Sequence, residues 1–189
     1  MYLKTSIIGR ILRLAHDQRG VSAVEFALLA PVMIGLYFGC AEIAVGVGTD
    51  RKVSLISAAL ANLTAQVTTI STTDMTNILD ASSAIIAPYA ASKLKMTVTC
   101  ISIDANKVAT VMWSETRNGT ARPVGAYTFD SSSAALAVPK SYLILSEASF
   151  DYTPTVGYTV SGTLTLKDKM YMSPRISPPV YVAKKCEVP

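Results

Sequence analysis

The chain has 189 residues, of which 50% are hydrophobic and only 16% charged. That length holds one modest domain plus an anchor, and the charged share falls well short of the roughly 25% usual in soluble domains, so the apolar excess is buried somewhere, most simply in a membrane. The formal net charge of +4 sits at the start, where Lys4, Arg10, Arg13 and Arg19 against Asp17 place +3 within the first twenty residues. The pI of about 9.0 therefore describes a basic leader, residues 1–20, and not a cationic body. No Lys/Arg stripe interleaved with aromatics follows, which excludes a nucleic-acid footprint of the usual kind.

From Phe26 to Ala41 the sequence holds no charge, and after Glu42 it stays apolar to Thr49 before Asp50, Arg51 and Lys52 end the run. As a helix, residues 26–49 reach about 36 Å, enough for a hydrocarbon core of about 30 Å. A transmembrane helix over 21–49 is the expectation. Four Lys/Arg precede the span and two follow it closely. The positive-inside rule then puts the N-terminus in the cytoplasm and the C-terminal body in the periplasm. Two other readings of the run stay open. One is a secretory signal, released near Gly48 after the A-V-G-V-G of residues 44–48, although such signals are shorter and close on a small-residue site. The other is an uncleaved single-pass anchor whose exported domain binds an envelope partner.

Glu25 separates these readings. An acid at the mouth of a membrane helix costs free energy and invites a reason. It follows Arg19-Gly20 and the small segment Val21-Ser22-Ala23-Val24, and it precedes Phe26. This arrangement resembles a type IV prepilin: a short basic leader ending in glycine, then an apolar helix with glutamate at the fifth mature position. The run RGVSAVEFALLAPVMIGLYFG, with Pro31 early in the helix, is similar to the TadE-like pseudopilins of the tight-adherence (Flp) pilus, over about 30 of the 189 residues. The resemblance implies cleavage between Gly20 and Val21 by a prepilin peptidase. It also implies membership of a pilus-assembly system, with other pilins and assembly-platform proteins in the inner membrane as partners. The physical chemistry agrees. Glycine leaves the scissile bond unobstructed, and cleavage creates a positive amine on Val21. Glu25 lies four residues on and can neutralise such an amine on its own chain or a neighbour.

On a straight helix Gly39, Gly46, Gly35 and Glu42 fall within about 100° of Glu25, forming a small, acidic face. Gly35 and Gly39 are a GxxxG pair, which lets helices approach closely. The face is either a packing surface for other subunits or simply the glycine content usual in membrane helices, with Glu42 snorkelling to the outer surface.

Beyond Lys52, Val53, Ile56, Ala59, Leu60, Leu63 and Val67 recur at three- and four-residue steps. The spacing predicts that the helix continues to about Gln66. Residues 68–73 break it. Asp74 is the expected N-cap of a second helix from Met75 to about Ala87, with Ile78, Leu79, Ile85 and Ile86 inward and Pro88 at its end. Residues 50–92 thus read as a helical region.

From Leu94 the period becomes two. Leu94–Ile103 and Val108–Trp113 are expected strands joined at Asp104-Ala105-Asn106-Lys107, with Asn118-Gly119 a further turn. Residues 117–140 read as a long loop with a short helix at 131–137. Tyr142–Tyr152 and Thr163–Met172 are the third and fourth strands, and Pro174, Pro178 and Pro179 forbid further central ones. The expected fold is α+β, with a small antiparallel sheet of about four strands over 93–189 packed on the amphipathic helix. This is also the layout of pilin-like subunits.

Cys40 lies in the apolar run and reads as a packing residue. Cys100 and Cys186 are either a disulfide or two free thiols. Export to an oxidising compartment favours the pair, which would close a long loop worth about 4 kcal/mol. With the single histidine, His16, in the leader, a Ser-His-Asp or Cys-His arrangement in the body is impossible. HExxH and P-loop patterns are absent from the sequence. No enzyme, cofactor, metal or small-molecule substrate is expected. Glu115, Glu147 and Asp151 read as solvated strand carboxylates.

Overall fold

The computed structural model describes residues 20–154, 162–182 and 184–186; the leader, with its cations and His16, lies outside them. The first element, α1, is one unbroken helix of 45 residues, Val21–Ala65, about 67 Å long at the α-helical rise. It runs through Pro31 without interruption. The two halves of α1 have different surroundings. In the first, Phe26, Leu28, Leu29, Val32, Met33, Ile34, Leu36 and Tyr37 are all exposed, and the helix is long and apolar enough to cross a membrane. In the second, Val53, Ile56, Leu60, Ala61 and Ala65 are fully buried. Their three- and four-residue spacing is the stripe that seats a helix on a sheet. Gln66 is the C-cap, as the periodicity predicts. The carbonyl of Ala65, left without an intrahelical donor, accepts the Arg175 N–H at 2.9 Å.

A two-residue strand, β1 (Thr69–Ile70), follows, and then α2 (Thr72–Ser83). The N-cap of α2 is Ser71 and not Asp74. The Ser71 hydroxyl accepts from the Asp74 N–H at 3.1 Å, and the Asp74 carboxylate accepts from the Ser71 N–H at 3.0 Å. Asp74 therefore closes a capping box from the third helical position. The α-helix also stops earlier than predicted, at Ser83, and tightens into a 3-10 turn at Ala84–Ile86 before Pro88.

The main sheet has five strands rather than four: β2 (Leu94–Ile103), β3 (Ala109–Arg117), β4 (Gly125–Tyr127), β5 (Ser141–Tyr152) and β6 (Leu164–Met172), in the order β4-β3-β2-β5-β6. All neighbours are antiparallel. The additional strand, β4, lies inside the stretch read as loop. It has three residues and no alternation to reveal it. The prolines keep the tail out of this sheet, although Val180–Tyr181 (β7) pairs in parallel with β1. At the β2–β3 turn, Asp104 Oδ1 accepts from the N–H groups of Asn106 and Val108 at 2.7 and 2.8 Å, the self-bonded turn typical of aspartate.

One face of the sheet meets α1. Leu94, Met96, Val98 and Cys100 of β2, with Ile144, Ala148 and Phe150 of β5, share a core with Val53, Ile56 and Leu60. The opposite face carries a second, smaller core of Ile101, Ile103, Leu143 and Leu145, covered by Tyr127, Phe129 and Tyr171. A bulge joins the two cores. Cys100 pairs with Trp113 and Ile101 with Val111, leaving Met112 as the extra residue. This lets Trp113 pack on the α1 side while Val111 and Ala109 pack on the other. Ser57 and Ser146 pin helix to sheet. The Ser146 hydroxyl donates to the Ser57 carbonyl, and the Ser57 hydroxyl lies 3.1 Å from Asp168 Oδ2.

Candidate functional site

The residues of the expected cleavage site stand at the N-terminal end of α1. Gly20 is the N-cap and Val21 the first helical residue, and both are exposed. Among the described residues no side chain caps this end, and none lies within 4 Å of where a Gly20 Cβ would be. Glu25 is exposed, one turn into the helix.

The four residues of the small face do not share one environment. Gly35 is exposed, with open space where a Cβ would stand. Gly39 and Glu42 are buried. Gly46 is half-buried, and a Cβ there would meet Tyr152 Cε1 at 3.8 Å, an ordinary contact. Among the described residues, packing demands glycine at neither Gly35 nor Gly46. Glu42, only 8% exposed, lies in an apolar cleft of about 280 Å³ with Ile43, Gly46 and Val47 of α1 on one side and Tyr152, Pro154 and Leu164 on the other. Just above it Tyr89 stacks on Phe150 and Tyr152, and its hydroxyl lies 3.1 Å from that of Thr49. Lys52 crosses the Tyr89 ring and donates to the Ala87 carbonyl. The body grips α1 from Glu42 upward through Tyr152, Pro154 and Leu164, while most side chains from Val21 to Phe38 are exposed.

At the far end a tail strap closes the fold. Cys100 and Cys186 form a disulfide, with Cα atoms 5.9 Å apart and both residues fully buried. The Trp113 indole donates to the Pro179 carbonyl at 3.1 Å, and the Tyr181 hydroxyl donates to Glu115 at 2.9 Å. Arg175 adds a bond to Asn62 at 2.7 Å. Burial and the acceptor Glu115 hold the Tyr181 phenol above its usual range. Cys40, on the bare half of α1, is exposed and free.

A clasp that the sequence did not reveal holds the 118–140 segment across the outer face. Arg122 makes a two-pronged ion pair with Glu147 at 2.8 and 2.6 Å and stacks over Tyr127. The Tyr127 and Tyr171 hydroxyls share a hydrogen bond of 2.7 Å, and Lys169 pairs with Asp130. Burial, and then the bond to Tyr171, push the Tyr127 phenol far up. The strand carboxylates read as solvated are partly exposed and also paired: Glu147 with Arg122, Glu115 with Tyr181, and Asp151 with Lys95 and Thr165. The alternation that would reveal such partners stops at each strand's end, because they come from loops and neighbouring strands.

No curated protein and no solved structure matches the chain. Residues 20–59 match the family model described as TadE-like protein. The match opens on the N-cap glycine of α1, takes in the bare apolar turns, and ends among the residues that seat the helix on the sheet. Over residues 20–59 this chain is similar to the TadE-like family.

Proposed function

We propose that the chain is a minor pilin or pseudopilin of a tight-adherence (Flp) pilus, a structural rather than catalytic component, trimmed by a prepilin peptidase between Gly20 and Val21. One observation carries this reading. The family match begins at Gly20, the residue immediately before α1, so the TadE-like segment starts one residue before the expected mature N-terminus, Val21. The leader is inserted with its cations on the cytoplasmic side, the bare half of α1 spans the inner membrane, and the body stands in the periplasm. The buried pair Cys100–Cys186 supports that placement, since disulfides persist in oxidising compartments and rarely in the cytosol. After trimming, the amine of Val21 is a new positive charge. Glu25, one turn on and exposed, neutralises it on the same or an adjacent subunit during assembly with other pilins and platform proteins. Gly35, open on the bare half, leaves room for a neighbouring helix to approach.

The test is the intact mass and N-terminal sequence of protein purified from membranes, with and without the peptidase. The expected product starts at Val21 and is absent when Gly20 is replaced by alanine. A mass matching residues 1–189 in the presence of active peptidase overturns the proposal and leaves an uncleaved anchor.

A further inference from the structure

β5 joins two levels of the body. Tyr152, at one end of this 12-residue strand, faces Glu42, and Ser141, at the other, pairs with Ile103. At about 3.3 Å per residue the Ser141–Ile103 end stands roughly 36 Å from Tyr152, at the end of the body remote from the exposed apolar turns of α1. Two segments meet there: the β2–β3 turn, residues 104–108, and the loop before β5, residues 134–140. They share one acceptor, because the Asp104 carbonyl takes the N–H groups of both Lys107 and Lys140, each at 3.2 Å. Both lysines are exposed, and both stand in the left-handed region, at φ 65° and 57°, which glycine and asparagine fill with less strain. The backbone therefore brings two cations to one spot, at positions where an uncharged residue would fit better.

Among the described residues neither ammonium has an ion-pair or hydrogen-bond partner. Asp104 is the one acid in the two segments, so two lysines against one aspartate leave an excess of +1. Its Oδ1 is taken up by the N–H groups of Asn106 and Val108. The surface beside the lysines is apolar and open: Val108 is 54% exposed, Val138 55% and Leu136 38%. None of the three belongs to either core. Exposed aliphatic side chains gathered on two touching segments, with cations among them, are the mark of an interaction surface, and they complement a partner that is both apolar and acidic. An anionic bilayer shares that chemistry. It favours tyrosine and tryptophan at its interface, however, and these segments contain neither.

We propose that this end of the body docks an acidic, apolar segment of a protein partner. Carboxylates of the partner pair with Lys107 and Lys140, and its apolar side chains cover Val108, Leu136 and Val138. The contact depends neither on trimming at Gly20 nor on the pilus reading. The full chain, with its valine and leucine methyl groups isotopically labelled, is placed in nanodiscs of neutral lipid and titrated with three probes. These are a synthetic peptide of glutamate, leucine and serine, the same peptide with lysine for glutamate, and vesicles of phosphatidylglycerol. The acidic peptide is expected to shift the methyl signals of Val108, Leu136 and Val138 ahead of all others, with an apparent affinity that falls several-fold as salt is raised. Lys107→Asn/Lys140→Asn removes both charges and suits the left-handed backbone. It is expected to weaken the acidic peptide several-fold while the urea midpoint stays the same or rises. A lysine peptide that shifts these methyls equally, or an acidic peptide that leaves them unmoved, overturns the proposal. Vesicles that shift them as strongly as the acidic peptide assign the surface to lipid and overturn the protein contact. A lower urea midpoint in the asparagine variant gives the lysines a role inside the fold and overturns it as well.

Discussion

Replacing Cys186 by serine tests whether the tail strap belongs to the cooperative core. The cysteines are 86 positions apart. The chain-entropy relation for closing a loop of this size gives about 4.5 kcal/mol, and losses of native disulfides in small secreted domains run from about 2 to 5 kcal/mol. The strap's other ties do not replace this. They comprise the Trp113–Pro179 and Tyr181–Glu115 bonds and the cap of Ala65 by Arg175, each hydrogen bond contributing about 1 kcal/mol net. Trp113, the single tryptophan, is 1% exposed against this strap, so its emission reports the event directly. Urea unfolding of the full chain in detergent micelles is followed by Trp113 fluorescence and by circular dichroism of the sheet. For Cys186→Ser both transitions are expected to move together to lower urea, by an amount equivalent to at least about 2 kcal/mol. Cys100→Ala/Cys186→Ala is expected to lose about as much, because both variants remove the same bond. A loss below about 1 kcal/mol would refute the entropic argument. A fluorescence transition that precedes the loss of sheet would show instead that the strap peels off alone.

The remaining expectations concern smaller devices. Ser71→Ala removes one arm of the capping box and is expected to cost about 1 kcal/mol, read as an earlier urea midpoint at unchanged slope. Arg122→Ala breaks the two-pronged pair with Glu147. The pair is partly exposed, so the expected loss in stability is modest, about 1 kcal/mol at most, while limited proteolysis should cut 118–140 faster; an unchanged cutting rate argues against the clasp. The Tyr127 phenol has its pKa raised in the folded state by burial and by Tyr171. Its contribution to stability is therefore fully present below the usual phenol pKa of about 10 and falls as the pH rises above it. Tyr127→Phe should flatten that alkaline decline, measured by urea midpoints across the range, and an identical decline in the variant would assign it elsewhere. Glu25→Gln should leave trimming at Gly20 intact, judged by mass, while reducing recovery of the chain with assembled pili; full recovery removes the proposed pairing with the Val21 amine.

Much of this molecule is legible along the chain because its strongest signals are local. An uncharged run ended by Asp50-Arg51-Lys52 identifies an apolar helix long enough to span, whatever packs on it. Val53, Ile56 and Leu60 show by spacing alone that the helix changes from a bare to a seated surface. The alternation from Leu94 and from Tyr142 identifies β2 and β5, and the order glycine, four residues, glutamate marks the start of the stretch that matches the TadE-like family model. What escaped depends on partners distant in sequence. β4 and the β1–β7 pair are too short to carry a period. The capping box had to be told from a simple Asp74 cap by which backbone N–H each side chain meets. Only the tertiary structure decided that Glu42 is gripped seven residues before the apolar run ends, because the grip comes from Tyr152, Pro154 and Leu164 more than a hundred positions away. The same holds for Cys186 beside Cys100 and for Glu147 under Arg122. A sequence states what each segment can bury, and the fold decides which segments bury it for each other.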